Sequence, residues 1–105
     1  MDEIEPQELK ARLDQGAAPL LLDVREPWEY EICHIAGSLP IPMKEVPGRM
    51  EDLEEAEEIV VICHHGMRSA QIASFLARSG IANVANLAGG IDAWARTVDR
   101  SMPTY

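Results

Sequence analysis

Apolar positions along this chain follow two rhythms. In Pro6–Asp14 (PQELKARLD), Leu9 and Leu13 stand four apart with charges between them and Gly16 follows as a stop, which predicts a short amphipathic helix. Residues 20–24 (LLLDV) are a brief, nearly all-apolar run after Pro19, the pattern of a strand buried on both faces. Residues 27–31 fit one helical turn with Pro27 at its first position. The segment SLPIP at 38–42 allows only a short or edge strand, because its two prolines cannot donate to a ladder. Residues 51–58 are acidic except for Leu53 and Ala56 and read as a solvated helix face.

The second half is more apolar. IVVIC at 59–63 is the strongest strand of the chain and ends on a cysteine. Residues 68–79 (RSAQIASFLARS) place Ala70, Ile72, Ala73, Leu76 and Ala77 at helical spacing before Gly80. A short strand at 83–87, a turn at Gly89-Gly90 and a helix at 91–98 carrying Trp94 complete the pattern, with Trp94 and Phe75 as core. The tail at 98–105 lacks periodicity and is expected to wrap the surface or meet a partner. Strands alternating with helices over short connections predict an α/β domain with a mainly parallel sheet. At 105 residues, 1–105 is expected to form a single domain.

Charge divides the chain. Residues 1–58 hold 16 acids and 5 bases, whereas 59–105 hold 2 acids and 4 bases, all four of them arginine. The overall charge of −9 argues against nucleic acid or an anionic membrane as a general partner, and it places any anion site in the second half. No apolar run approaches the roughly 18 residues of a membrane span, and the first residues lack the basic and apolar pattern of a signal peptide. A cytoplasmic location is the expectation. Two cysteines are too few for a disulfide scaffold, so each is either a thiol with chemistry or a small buried residue.

Cys63 stands where parallel sheets bind ligands, beyond the carboxyl end of a strand and at the start of the next helix. In CHHGMRS at 63–69, Gly66 lets the backbone fold tightly. Backbone amides of such a loop, the helix dipole and Arg68 would together favour a thiolate, and the same amides would cradle an anion brought to it. Cys63 is thus the candidate nucleophile, with His64, His65, Gly66, Met67, Arg68 and Ser69 as the substrate-binding loop. Arg68 either orients an anionic donor or ties strand ends together; His64, His65 and Met67 form the rim and set access.

Three stretches, 21–42 (LLDVREPWEYEICHIAGSLPIP), 60–80 (VVICHHGMRSAQIASFLARSG) and 86–94 (NLAGGIDAW), make the chain resemble a single-domain rhodanese, a sulfurtransferase that carries sulfane sulfur as a cysteine persulfide. The resemblance implies a rhodanese-like five-stranded parallel sheet with helices on both faces and a catalytic cysteine after a central strand. It also implies transfer of sulfur from thiosulfate or a similar small anionic donor to cyanide in vitro and to a thiol or protein acceptor in the cell, with no cofactor. Related phosphatases and arsenate reductases place five residues between cysteine and arginine; here four lie between Cys63 and Arg68, the length of sulfur-handling loops. A rhodanese module that docks a partner or relays sulfur, with 51–58 as its docking face, is the first alternative, and a phosphatase or arsenate reductase is the second.

Asp23, Arg25, Glu29 and His34 match the first family signature, where the resemblance implies loop-holding ion pairs and hydrogen bonds. Cys33 departs from the glycine usual before His-Ile. It is either a bystander or a second thiol that resolves Cys63 as a disulfide. Cys33, His34, Cys63, His64 and His65 could in number supply a zinc site, but their spacing does not suit one and no metal is expected.

Overall fold

The computed structural model describes residues 2–105. The chain runs β1 (Asp2–Ile4), α1 (Pro6–Asp14), β2 (Leu20–Asp23), α2 (Pro27–Ile32), β3 (Leu39–Pro40), a 3-10 segment (Met43–Asp52), β4 (Ile59–Ile62), α3 (Met67–Arg78), β5 (Val84–Leu87) and α4 (Gly90–Thr97). The strands form one sheet in the order β1-β5-β4-β2-β3, with every neighbouring pair parallel.

Side-chain alternation along the strands feeds two apolar layers. Leu22, Ile59, Val61 and Val84 point to one face and meet Ile72, Ala73 and Leu76 of α3 together with Val46 and Leu53. Leu21, Val60, Ile62 and Leu87 point to the other and meet Leu9 of α1 and Ile91 and Trp94 of α4. Covered on both sides, β4 has no exposed side chain, which explains its unbroken IVVI sequence. No helix of the described residues is long and apolar enough to cross a membrane.

Two elements differ from the pattern. β1 has no counterpart in the apolar pattern: Asp2 and Glu3 are exposed, only Ile4 is buried, and the strand exists through backbone pairing with β5 at the sheet edge. The acidic segment 51–58 is not the helix the charge pattern predicts. The 3-10 segment ends at Asp52 and turns lead into β4, with Leu53 buried as the anchor. Six acids in eight residues would repel at i,i+3 and i,i+4 in a helix, and Pro47 and Gly48 upstream weaken its start.

The topology creates one crevice. β2 leads through α2 to β3 on one side, whereas β4 leads through α3 to β5 on the other. The carboxyl ends of the adjacent strands β2 and β4 are therefore the switch point at which doubly wound sheets open. Val24 and Arg25 leave one lip and Cys63 leaves the other.

Candidate active site at the carboxyl ends of β2 and β4

Cys63 follows β4 directly and is 1% exposed. Gly66 adopts φ +103°, a turn that suits glycine, and brings its N–H to 3.0 Å from Cys63 Sγ. α3 begins at the next residue, so the sulfur lies at the amino end of a twelve-residue helix. The Ser69 hydroxyl, fully buried one turn on, lies 3.1 Å from Sγ and 2.5 Å from Asn86 Oδ1. The loop's own carbonyls are anchored from behind: Ile91 N–H donates to Cys63 O at 2.8 Å and Asp92 N–H to His64 O at 3.1 Å. The start of α4 thus holds the loop against the sheet.

Arg68 does not reach the sulfur. Its guanidinium forms a fork with Glu29, Nη1 to Oε1 at 2.7 Å and Nη2 to Oε2 at 2.8 Å, and so ties α3 to α2. Behind this pair, Arg25 meets Asp23 through Nε (2.9 Å) and Nη2 (2.7 Å), both residues wholly buried. Arg25 also donates to the Cys33 and Glu29 carbonyls. Tyr105 closes the chain of contacts, its hydroxyl accepting from Arg25 Nη1 at 2.9 Å and donating to Glu29 Oε2 at 2.8 Å. Burial, together with the Glu29 carboxylate, pushes the Tyr105 phenol up to about 12, so it remains a donor at any ordinary pH.

The C-terminal tail is therefore part of this site and does more than wrap the surface. The Tyr105 ring stacks on His64 with centroids 3.9 Å apart, and His64 stacks in turn on His65 at the same spacing. Burial, and next the proximity of the His65 ring, lower the His64 pKa, which favours the neutral ring. His65 and Met67 are exposed. The fourth signature residue, His34, stands apart from the network: it is exposed, stacks on Tyr30 and bonds the Tyr30 carbonyl at 2.8 Å.

Cys33 is buried in the apolar layer opposite the one containing Cys63. It lines a narrow crevice with His64, Ile91, Asp92 and Tyr105. Among the described residues, His64, His65 and Asp92 each offer a ligand atom within 4.8 Å of the others. The Asp92 carboxylate is already engaged by Arg96 Nε at 2.9 Å, and Cys33, His34 and Cys63 do not join this group.

Asn86, Glu3 and Tyr105 are the site residues the sequence reading missed. Asn86 carried a signal, a polar residue inside an otherwise apolar strand run, whereas Tyr105 lies 76 residues from Glu29 and no local pattern links them.

The network makes a pH prediction. Chiefly through the Arg68 fork, and against the opposing effect of burial, the Glu29 carboxyl is held down at about 2 against its ordinary 4.5. Stabilisation from a depressed carboxylate is fully present above the unfolded value and disappears as pH falls through the folded one. Acidification from 4.5 to 2 is therefore expected to remove on the order of 3 kcal/mol. Glu29→Gln should flatten that part of a stability-against-pH curve from urea melts; an unchanged slope would assign the acid sensitivity elsewhere.

The Rhodanese-like domain family model matches residues 5–97. A sulfurtransferase of Allochromatium vinosum is 38% identical over 91% of this chain and 90% of its own length. The thiosulfate sulfurtransferase GlpE of Pseudomonas fluorescens is 31% identical over 90% of this chain and 84% of its own. The crystal structure of a rhodanese-related protein from Thermoplasma volcanium superposes with a TM-score of 0.84 at 35% identity, over 93% of this chain and 94% of that one. A switch-point cysteine on an all-parallel five-stranded sheet, a match along most of the chain and relatives that are sulfurtransferases lead to one conclusion: the chain belongs to the rhodanese-like family.

Proposed function

We propose that this protein is a sulfurtransferase that carries sulfane sulfur as a persulfide on Cys63. The observation that carries this reading is the setting of Sγ, buried at the amino end of α3 with the Gly66 amide at 3.0 Å and the Ser69 hydroxyl at 3.1 Å. A short loop of backbone donors suits a small anionic sulfur chain better than a bulky ester. The loop residues His64, His65, Gly66, Met67, Arg68 and Ser69 bind the donor chiefly through backbone and hydroxyl groups, because the Arg68 fork is occupied by Glu29.

The reaction has two displacements. Cys63 thiolate attacks the sulfane sulfur of thiosulfate; the new S–S bond forms as the old one breaks, and sulfite leaves with the bonding pair. The persulfide's outer sulfur carries the negative charge toward the loop amides. An acceptor, cyanide in the assay or a thiol in the cell, then attacks that sulfur and restores the thiolate. No electrons are gained or lost overall, so no cofactor is required.

The test is an intact-mass measurement of the reduced protein after thiosulfate. A gain of one sulfur atom, located on Cys63 and removed by cyanide with release of thiocyanate, is the expected result. A folded protein that takes up no sulfur from thiosulfate would overturn the assignment of this donor.

A further inference from the structure

Two buried acceptors at this site, the Cys63 sulfur and the Asn86 amide oxygen, lie within reach of one hydroxyl proton. Cys63, Ser69 and Asn86 are each 0 to 1% exposed. The orientation of the Asn86 amide is fixed, because its Nδ2 donates to Gly66 O and to Glu3 Oε2, both at 3.1 Å, and neither of these can donate in return. Asn86 Oδ1 is therefore the acceptor facing Ser69 at 2.5 Å. The Ser69 hydroxyl lies within reach of both this oxygen and the sulfur, but it has one proton.

We propose that Asn86 is a positioning residue for the Cys63 sulfur, which holds the single Ser69 proton and thereby favours the protonated thiol and the persulfide over the bare thiolate. With Cys63 protonated, S–H donates to Ser69 Oγ and Ser69 O–H donates to Asn86 Oδ1, so every group is satisfied. When the thiol proton leaves, the sulfur keeps the Gly66 N–H, and the Ser69 hydroxyl can add a second bond to it only by leaving the buried Asn86 Oδ1 without its donor. Once the outer sulfur is attached, the inner sulfur is a weak acceptor without charge, and the hydroxyl returns to Asn86. The resting cysteine is thereby protected from adventitious oxidation, and the thiolate, once formed, is driven toward the persulfide.

This inference rests on Cys63 being the reactive sulfur, but not on its donor. The experiment is the rate of Cys63 alkylation by iodoacetamide against pH, located by peptide mass, in the parent, Asn86→Leu, Ser69→Ala and the double variant. Leucine keeps the branched outline of asparagine and removes the acceptor, together with the Nδ2 bonds to Gly66 O and Glu3. Asn86→Leu should lower the titration midpoint by about one pH unit, a tenfold gain in thiolate against thiol. In the Ser69→Ala background the same change should move the midpoint little, because its effect passes through the hydroxyl.

The charged and titratable groups on the elements packed around Cys63, Arg68 on α3 with its partner Glu29 on α2, Glu3 on β1, His64 and His65 in the loop itself and Asp92 on α4, are the same in all four proteins. An unchanged or higher midpoint in Asn86→Leu, or an equal drop without Ser69, would overturn the proposal. Should Asn86→Leu fail to fold, the infrared S–H band in the difference spectrum between parent and Ser69→Ala decides. A band shifted below that of a free thiol in the parent supports the donor role of Cys63, and an unshifted band refutes it. Failure to form a persulfide from thiosulfate would leave these titrations unaffected, so the two readings fail separately.

Discussion

Cys63→Ser is expected to yield a folded protein that gains no sulfur from thiosulfate and turns over at about a ten-thousandth of the parent rate or less. Serine places oxygen where sulfur was, a small change in volume, and still accepts from the Gly66 N–H and meets the Ser69 hydroxyl. Its thermal midpoint should stay close to that of the parent. The chemistry, by contrast, has no substitute: a hydroxyl is a far weaker nucleophile near neutral pH and cannot hold a sulfane sulfur. Thiocyanate release with cyanide and intact mass measure the two quantities. Turnover within tenfold of the parent would remove Cys63 from the mechanism and shift attention to Cys33.

Gly90→Ala is expected to have the largest effect on the fold, a loss of more than about 4 kcal/mol or no folded protein at all. A Cβ at this position would lie 2.4 Å from His64 O, 2.5 Å from Cys63 O and 2.6 Å from His64 C. All three are backbone atoms, and both carbonyls are bonded to the first amides of α4. Gly90 also has φ +65°, so strain adds to collision. The proper control is Gly37→Ala, where φ is +83° but nothing lies within 4 Å of the added carbon. It should lose about 1 kcal/mol in the same urea melts. Equal losses at the two positions would mean that strain alone, and not the close approach of loop and helix, makes Gly90 necessary.

The parts legible in the sequence were those in which local pattern and final environment coincide. β2 and β4 are covered on both faces, so their apolar runs announced them, and α3 showed its buried stripe at helical spacing. β1 could not be read because its pairing uses backbone groups while Asp2 and Glu3 face water. The acidic segment 51–58 misled because a charge run marks exposure without saying which exposed conformation follows. The seven-residue loop from Cys63 to Ser69 was readable as a unit since its contacts with the sulfur span three and six residues. Arg68 was not: its partner Glu29 lies 39 residues away, and whether an arginine faces an anion or a carboxylate depends on what the fold brings to it. Tyr105, 80 residues from Arg25, is the extreme case.

The two sheet margins share a property that bears on how copies of this chain meet one another. The most adhesive segment, IVVI, is also the central strand, with β5 and β2 hydrogen-bonded to either side of it. Outward from there the strands shorten, to three residues in β1 and two in β3. One margin presents the charges of Asp2 and Glu3, and the other ends in Pro40, which has no N–H to offer. A second molecule approaching edge-on therefore finds no long ladder to extend, and like charges repel it on one side. The order β1-β5-β4-β2-β3 thus keeps the most apolar strand of the chain behind margins unsuited to growth of a shared sheet.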